Sequence, residues 1–163
     1  LKGKKVVWLG IANNVSNSLV GVCTKLGAKV TLCIPEKDPD AVDPQLEAEA
    51  NKSGLYDETT DLSVIKDADF VYTDTWINME FIIDPNFAAE KERRIRAFMP
   101  FQLNKSLLDK YNCRAKLMHC MPCHIGYEIT RDAVDHPNSI IFDQAENRLH
   151  LQKSVILKLL GTF

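Results

Sequence analysis

No apolar stretch in this sequence is long enough to cross a bilayer. The longest, such as Val155-Ile156-Leu157, are broken within a few residues by Lys158 or its like, whereas a span needs about 20 consecutive apolar residues. The first residues do not read as a secretory signal peptide. Charge of one sign is scarce: the formal net charge is −2, which removes the electrostatic footprint of a nucleic-acid binder. There is no internal repeat and no low-complexity segment. Cysteine is sparse and odd in number, five in 163 residues, with Cys23 and Cys33 inside apolar segments. That usage fits a reducing, cytoplasmic setting better than a secreted disulfide frame. The chain opens on Leu1 rather than Met and enters its first strand almost at once, which suggests a piece of something longer.

What is present is an ordinary globular balance, 45% hydrophobic and 26% charged, in a chain long enough for one domain over residues 1–163 with a sizeable core. Lys5 to Gly10, Lys29 to Ile34, Leu55 to Thr59, Asp69 to Thr73 and Ala115 to Met118 read as strands. Ser139 to Phe142 reads as a further short apolar strand. Helices are expected after Asn13 or Asn14, with Val15, Leu19, Val22, Cys23 and Leu26 on a helical period. Others are expected over 41–52, 86–97 and from Leu103 to Tyr111, with short turns after Asp61 and at Ile129 to Val134. An amphipathic helix from Asn147 to Leu160 closes the chain. Strands with continuous apolar cores alternating with helices predict an α/β fold: a three-layer αβα sandwich around a parallel, Rossmann-like sheet of about five strands. Residues 35–62 hold nine acidic residues against two lysines and read as a solvated acidic face.

Two segments stand at expected strand ends, Tyr72-Thr73-Asp74-Thr75-Trp76 and Met118-His119-Cys120-Met121-Pro122. Ligands of open α/β sheets bind where strand C-termini open into loops, so both loops are expected to face one crevice. The first strand–helix turn, Gly10-Ile11-Ala12-Asn13-Asn14, lacks the glycines of a dinucleotide fingerprint, since Ala12 and Val15 stand in their places. That opposes a nicotinamide-dependent oxidoreductase. The paired amides read either as a helix cap or as ligands of a polar molecule. Cys120-x-x-Cys123, flanked by His119 and His124, invites zinc or a redox pair, but all four donors lie within six residues, whereas structural zinc usually takes two separated pairs. No metal or cofactor is expected. Asp74 is either a cap or the partner of a cationic ligand group, and with Cys120 it could position an amine and tune its proton. In Ala145-Glu146-Asn147-Arg148 the alternatives are a helix start with an exposed Arg148 or a functional guanidinium.

Four motifs occur in order: Trp8-Leu9-Gly10 with Asn13-Asn14, Thr73-Asp74-Thr75-Trp76-Ile77-Asn78-Met79, His119-Cys120-Met121-Pro122, and Ala145-Glu146-Asn147-Arg148. Together they resemble the second, amino-acid-binding domain of the ornithine carbamoyltransferase family, from about residue 4 to residue 160. The resemblance implies transfer of a carbamoyl group from carbamoyl phosphate to the δ-amine of L-ornithine, giving citrulline and phosphate, without metal or organic cofactor. By motif, Asn14, Asp74, Asn78 and Met79 would hold the ornithine α-amino and α-carboxylate groups. Cys120, supported by Asp74, would orient the attacking amine. The backbone carbonyls around Cys120 and Met121 would bind the carbamoyl NH₂, with a cis bond before Pro122, and Arg148 would polarise the carbamoyl oxygen.

The chain departs from the pattern in four places. Asn78 stands for the usual serine, and Cys123-His124-Ile125 follows the proline where arginine or a similar residue is usual. Glu80 replaces glycine, and the segment Glu80 to Asn86 is longer, somewhat as in the putrescine (diamine) branch. The Ser-Thr-Arg-Thr-type loop and His-Pro-x-Gln run that bind carbamoyl phosphate in the family's first domain do not occur. The expectation is therefore the acceptor-binding half of an enzyme, inactive alone, whose parent is a homotrimer. A diamine acceptor or a non-catalytic amino-acid-binding module are the alternatives.

Overall fold

The computed structural model describes every residue except Met79, Glu80, Ile82 and Phe163. Its elements in chain order are β1 (Lys5–Leu9), α1 (Asn14–Lys25), β2 (Lys29–Cys33), α2 (Pro44–Ser53), β3 (Tyr56–Thr59), β4 (Phe70–Thr73), α3 (Ala88–Phe98), α4 (Lys105–Lys110), β5 (Lys116–His119), α5 (Arg131–Val134) and α6 (Ile141–Leu159), with 3₁₀ turns such as Leu62–Asp67 between them. The five strands form one sheet of order β3-β2-β1-β4-β5, parallel at every pairing. The α/β, parallel five-stranded expectation is met.

Alternation along the strands sends side chains to two separate cores. Val6 and Trp8 of β1, Val30 and Leu32 of β2 and Tyr72 of β4 pack with Val20 and Cys23 of α1 and Ala50 of α2. Val7, Leu9, Cys33 and Val71 point the other way, into a cluster with Ile65, Leu107, Leu117, Ile129 and Ile141. Burial on both faces explains why the strands read as continuous apolar runs rather than as alternating ones. At the start of the sheet, Asp69 accepts from Lys4 Nζ and from Lys5 N, each at 2.8 Å, which ties the entry of β1 to that of β4.

The strand order reverses beside β1. The chain moves from β1 out to β2 and β3, then returns to build β4 and β5 on the other side. The loops leaving β1 and β4 must therefore diverge, and a crevice opens between them. Gly10 makes that opening possible. Its φ is 115°, and an added Cβ would lie 2.7 Å from Trp76 Nε1. Trp76 is fully buried, in a third cluster with Ile11, Ile77, Phe81 and Phe98. Arg94 of α3 holds this cluster over the sheet: its Nη1 donates to Trp76 O at 3.1 Å and its guanidinium lies 4.7 Å from the Phe81 ring centroid.

Four expectations are corrected. Ser139 to Phe142 is not a strand. Ser139 makes only an isolated bridge to Leu117, and the helical period beginning at the buried Ile141 overrides the local β-branched run. The last helix accordingly begins at Ile141, six residues before the expected start, and Ala145 to Arg148 lie in its second turn rather than at its N-terminus. The helix expected over Leu103 to Tyr111 is shorter, Lys105–Lys110, because Asn104 caps it and Leu103 pairs with Ile129 instead. On α1, Val22 and Leu26 are exposed, and the buried face is Ser16, Val20 and Cys23.

The geometry at Gly10 yields a prediction. Gly10→Ala combines a backbone conformation unfavourable to an L-residue with overpacking against a buried indole. It should destabilise the fold by roughly 3 kcal/mol, read as a lowered denaturation midpoint with an unchanged m-value.

Candidate active site

Residues from the loops after β1, β2 and β4 line a cavity of about 390 Å³: Ile11, Asn13, Asn14, Asp38, Asp40, Ala41, Asp74, Thr75 and Asn78. Its floor is set by helix capping. Asn13 Oδ1 accepts from Val15 N at 3.0 Å and Ser16 N at 3.1 Å, while Ser16 Oγ accepts from Asn13 N at 2.8 Å, a closed capping box. With its oxygen engaged on the helix, the Asn13 amide turns its Nδ2 to Asp74 Oδ2, 2.8 Å away. Asn13 is thus the cap, and exposed Asn14, the first helical residue, is left to line the cavity.

Asp74 is 8% exposed. Besides the Asn13 bond, its Oδ1 accepts from Thr75 N at 2.8 Å, and the Cys120 sulfur lies within 4.8 Å of its carboxylate. That thiol is pushed up to about 12, first by burial, then by the hydrogen bond to Asp74 and by the carboxylate's charge. Cys120 is therefore a protonated donor to Asp74 at neutral pH and not a thiolate nucleophile. The neighbouring Tyr72 hydroxyl is also raised, by burial first and by Cys120 next.

Cys120 faces a second cavity, also about 390 Å³, lined by Tyr72, Gln144, Ala145, Asn147, Arg148 and Leu151. The two strand-end loops thus do not share a single crevice. Because β4 lies between β1 and β5, its C-terminal end borders both cavities, through Asp74 and Thr75 on one side and Tyr72 on the other, and Asp74 lies close to Cys120 between them. Arg148 is brought to the second cavity by α6 and is exposed. Met121, half-buried, adopts a left-handed conformation with φ 55°, followed by a cis bond to Pro122, and its N–H donates to His119 Nδ1 at 2.9 Å. Asn78 lines the first cavity. The Met79 and Glu80 expectations lie outside the described residues.

Several residues gain a place at the site that their local sequence does not signal. Asp38 and Asp40, read as part of a solvated face, line the first cavity. Gln144 bridges β4 and β5: its Nε2 donates to Tyr72 Oη at 2.8 Å and its Oε1 accepts from His119 N at 3.1 Å. Donor atoms of Asp74, His119 and Cys120 lie within 4.8 Å of one another, a different set from the Cys-x-x-Cys pair. Both nitrogens of His119 are already engaged outside the trio, with Met121 N and with Glu128 Oε1 at 3.2 Å. A further cavity of about 340 Å³ runs across Lys5, Lys29, Thr31 and Asp57, where Lys29 and Asp57 pair with each other at 2.6 Å.

Residues 2–159 match the family model for the aspartate/ornithine carbamoyltransferase Asp/Orn binding domain. The chain is 42% identical over 165 residues to the ornithine carbamoyltransferase of Thermococcus kodakarensis, covering 99% of this chain and 50% of that protein. It is 44% identical over 168 residues to that of Pyrococcus horikoshii, with coverage of 99% and 50%. Among solved structures, ornithine carbamoyltransferase from Pyrococcus furiosus superposes with a TM-score of 0.79 at 42% identity, over 96% of this chain and 49% of that one. The enzyme from Thermus thermophilus gives 0.76 at 38%, over 98% and 49%. The chain spans about half the length of the relatives it matches.

The electrostatics of the pair predict the behaviour of Asp74→Asn. Removing the charge lowers the Cys120 pKa and raises its thiolate fraction at any given pH above neutrality. Burial remains, so the pKa stays above the usual ~8.5. The pH profile of Cys120 alkylation should shift to lower pH in the variant; an unmoved profile would remove Asp74 as a cause.

Proposed function

This chain belongs to the aspartate/ornithine carbamoyltransferase family, and we propose that it is the acceptor-binding half of an ornithine carbamoyltransferase. In that reaction the δ-nitrogen of L-ornithine forms a bond to the carbamoyl carbon, the carbon–oxygen bond to phosphate breaks, and the amine loses a proton, giving citrulline and phosphate. The observation that carries the choice of ornithine over aspartate is the charge of the first cavity. Three carboxylates, Asp38, Asp40 and Asp74, and three amides, Asn13, Asn14 and Asn78, line it, and no lysine or arginine is among the described lining residues. A dicarboxylate acceptor would meet like charge on every side, whereas an acceptor with two amino groups meets compensation for both.

The chemistry follows from the same groups. A free alkylammonium has a pKa near ~10.4 and cannot attack until it is deprotonated. A protonated Cys120 held on Asp74 can accept an amine N–H on sulfur and orient the nitrogen lone pair, without competing as a nucleophile. Asn14 and Asn78 offer amide donors to the α-carboxylate, with Met79 as the third group implied by the resemblance. Arg148 is assigned to the carbamoyl oxygen, where negative charge develops in the transition state, and the carbonyls of Cys120 and Met121 to the carbamoyl NH₂. No cofactor or metal has a role in this scheme.

The carbamoyl-phosphate site is assigned to a second half outside this chain, an N-terminal domain in the whole enzyme. Leu149, Leu151, Val155, Ile156 and Leu159 of α6 are all exposed, as expected of a surface that another domain covers. Among the described residues no helix is long and apolar enough to cross a membrane. We assign the whole enzyme to arginine metabolism in the cytoplasm, as a homotrimer.

Titrating this chain with L-ornithine, putrescine and L-aspartate, followed by NMR, tests the acceptor. Ornithine shifts at Asn14, Asp74, Asn78 and Cys120 that vanish in Asp74→Asn are expected. A response to putrescine alone would transfer the assignment to a diamine acceptor, and a response to aspartate would overturn it. In the assembled enzyme, Asp74→Asn and Cys120→Ser should each reduce kcat by roughly a hundredfold or more with the denaturation midpoint nearly unchanged.

A further inference from the structure

We propose that His124 is a positioning residue that clasps the loop after β4 to the loop after β5 and so holds Asp74 and Cys120 together. His124 lines neither cavity, so any influence on the chemistry runs through its neighbours. Its Nδ1 lies 2.9 Å from Thr75 Oγ1. That hydroxyl donates to Ile77 O at 3.0 Å and accepts from Ile77 N at 3.2 Å. A hydroxyl has a single proton, and here it is directed to Ile77. The imidazole is therefore the donor, with its proton on Nδ1. The same edge of the ring faces Glu128 Oε2 at 3.9 Å.

Glu128 anchors the clasp. It is fully buried, and its Oε1 accepts from His124 N at 2.5 Å and from His119 Nε2 at 3.2 Å. His119 in turn takes the Met121 N–H on Nδ1. One carboxylate thus fixes both ends of the segment from His119 to His124, and the His124 ring carries that constraint across to Thr75. Thr75 N donates to Asp74, the Asp74 carboxylate lies within 4.8 Å of the Cys120 sulfur, and Cys120 lies in the segment where the path began. The contacts form a closed ring through both loops beyond the β4–β5 ladder, whose last pair is Thr73 with His119, and the His124–Thr75 bond ties the two loops further out. The consequence for catalysis rests on the acceptor-half reading above, but the ring is tested without turnover, so the two ideas fail separately.

The test is alkylation of the full chain with iodoacetamide at pH 8.5, with the rate at each cysteine read by peptide mass spectrometry. Opening the clasp releases Cys120 from Asp74. His124→Ala and Thr75→Val should each speed Cys120 alkylation roughly tenfold, while the buried Cys23 and Cys33 keep their rates. The double variant should be no faster than either single one, because both break the same link. His124→Asn, whose amide can replace the Nδ1 donor, should stay near wild type. Nitrogen NMR of the unsubstituted chain should show the Nδ1–H tautomer at His124. Unchanged Cys120 rates in both single variants, additive acceleration in the double, or an Nε2–H tautomer would overturn the clasp. Parallel acceleration of Cys23 and Cys33 would reduce His124 to general support of the fold and overturn a positioning role.

Discussion

A carboxylate placed at the end of a central strand and almost removed from water must be compensated, and the site is organised by how Asp74 meets that demand. A buried charge without partners would cost several kcal/mol. Asp74 instead draws an amide from the α1 cap, the backbone N–H of Thr75 and a thiol from the β5 loop. Each partner comes from a different strand end, so satisfying one charge brings three loops together. The helix cap is part of this compensation: Asn13 can reach Asp74 only because its oxygen is already engaged on α1.

The same charge sets the chemical character of the crevice. Burial, reinforced by the neighbouring carboxylate, keeps the Cys120 thiol protonated, which in the proposed reaction suits sulfur to accept from and orient an amine rather than to compete as a nucleophile. The acids across the cavity extend this preference from one amino group to two. Asp38 is moderated by Arg94, 4.0 Å away. That arginine is occupied with Glu90 and Trp76 O, behind the cavity wall, and so stabilises the wall without offering its charge to a ligand. In the proposed reading, selectivity between a dicarboxylate and a diamino acceptor arises from what lines the cavity, because the family model spans both Asp- and Orn-binding domains.

Much of this was legible in the sequence. Continuous apolar strand cores alternating with helices specify a doubly covered parallel sheet, and the motifs ending β1, β4 and β5 mark the strand ends where a ligand site must form. Gly54 in the left-handed region ends α2 close to the expected boundary at residue 52. Where local pattern misled, the cause was tertiary. The β-branched run at Ser139 to Phe142 found no partner long enough to remain a strand, and Leu103 left its helix to fill a space beside Ile129.

The sequence alone determined the layered α/β architecture and the family and marked Asp74 and Cys120 as candidates, because these depend on periodicity and on short motifs read along the chain. Only the tertiary structure decided which asparagine caps the helix and which faces the cavity, that Asp38 and the exposed Asp40 line that cavity, and that Gln144, His119 and Glu128 brace the strand ends. Those assignments depend on partners distant in the chain: Asn13 and Asp74 are 61 residues apart, Gln144 and Tyr72 are 72. Hydrogen-bond geometry between such groups exists only once the strand order has brought the loops side by side.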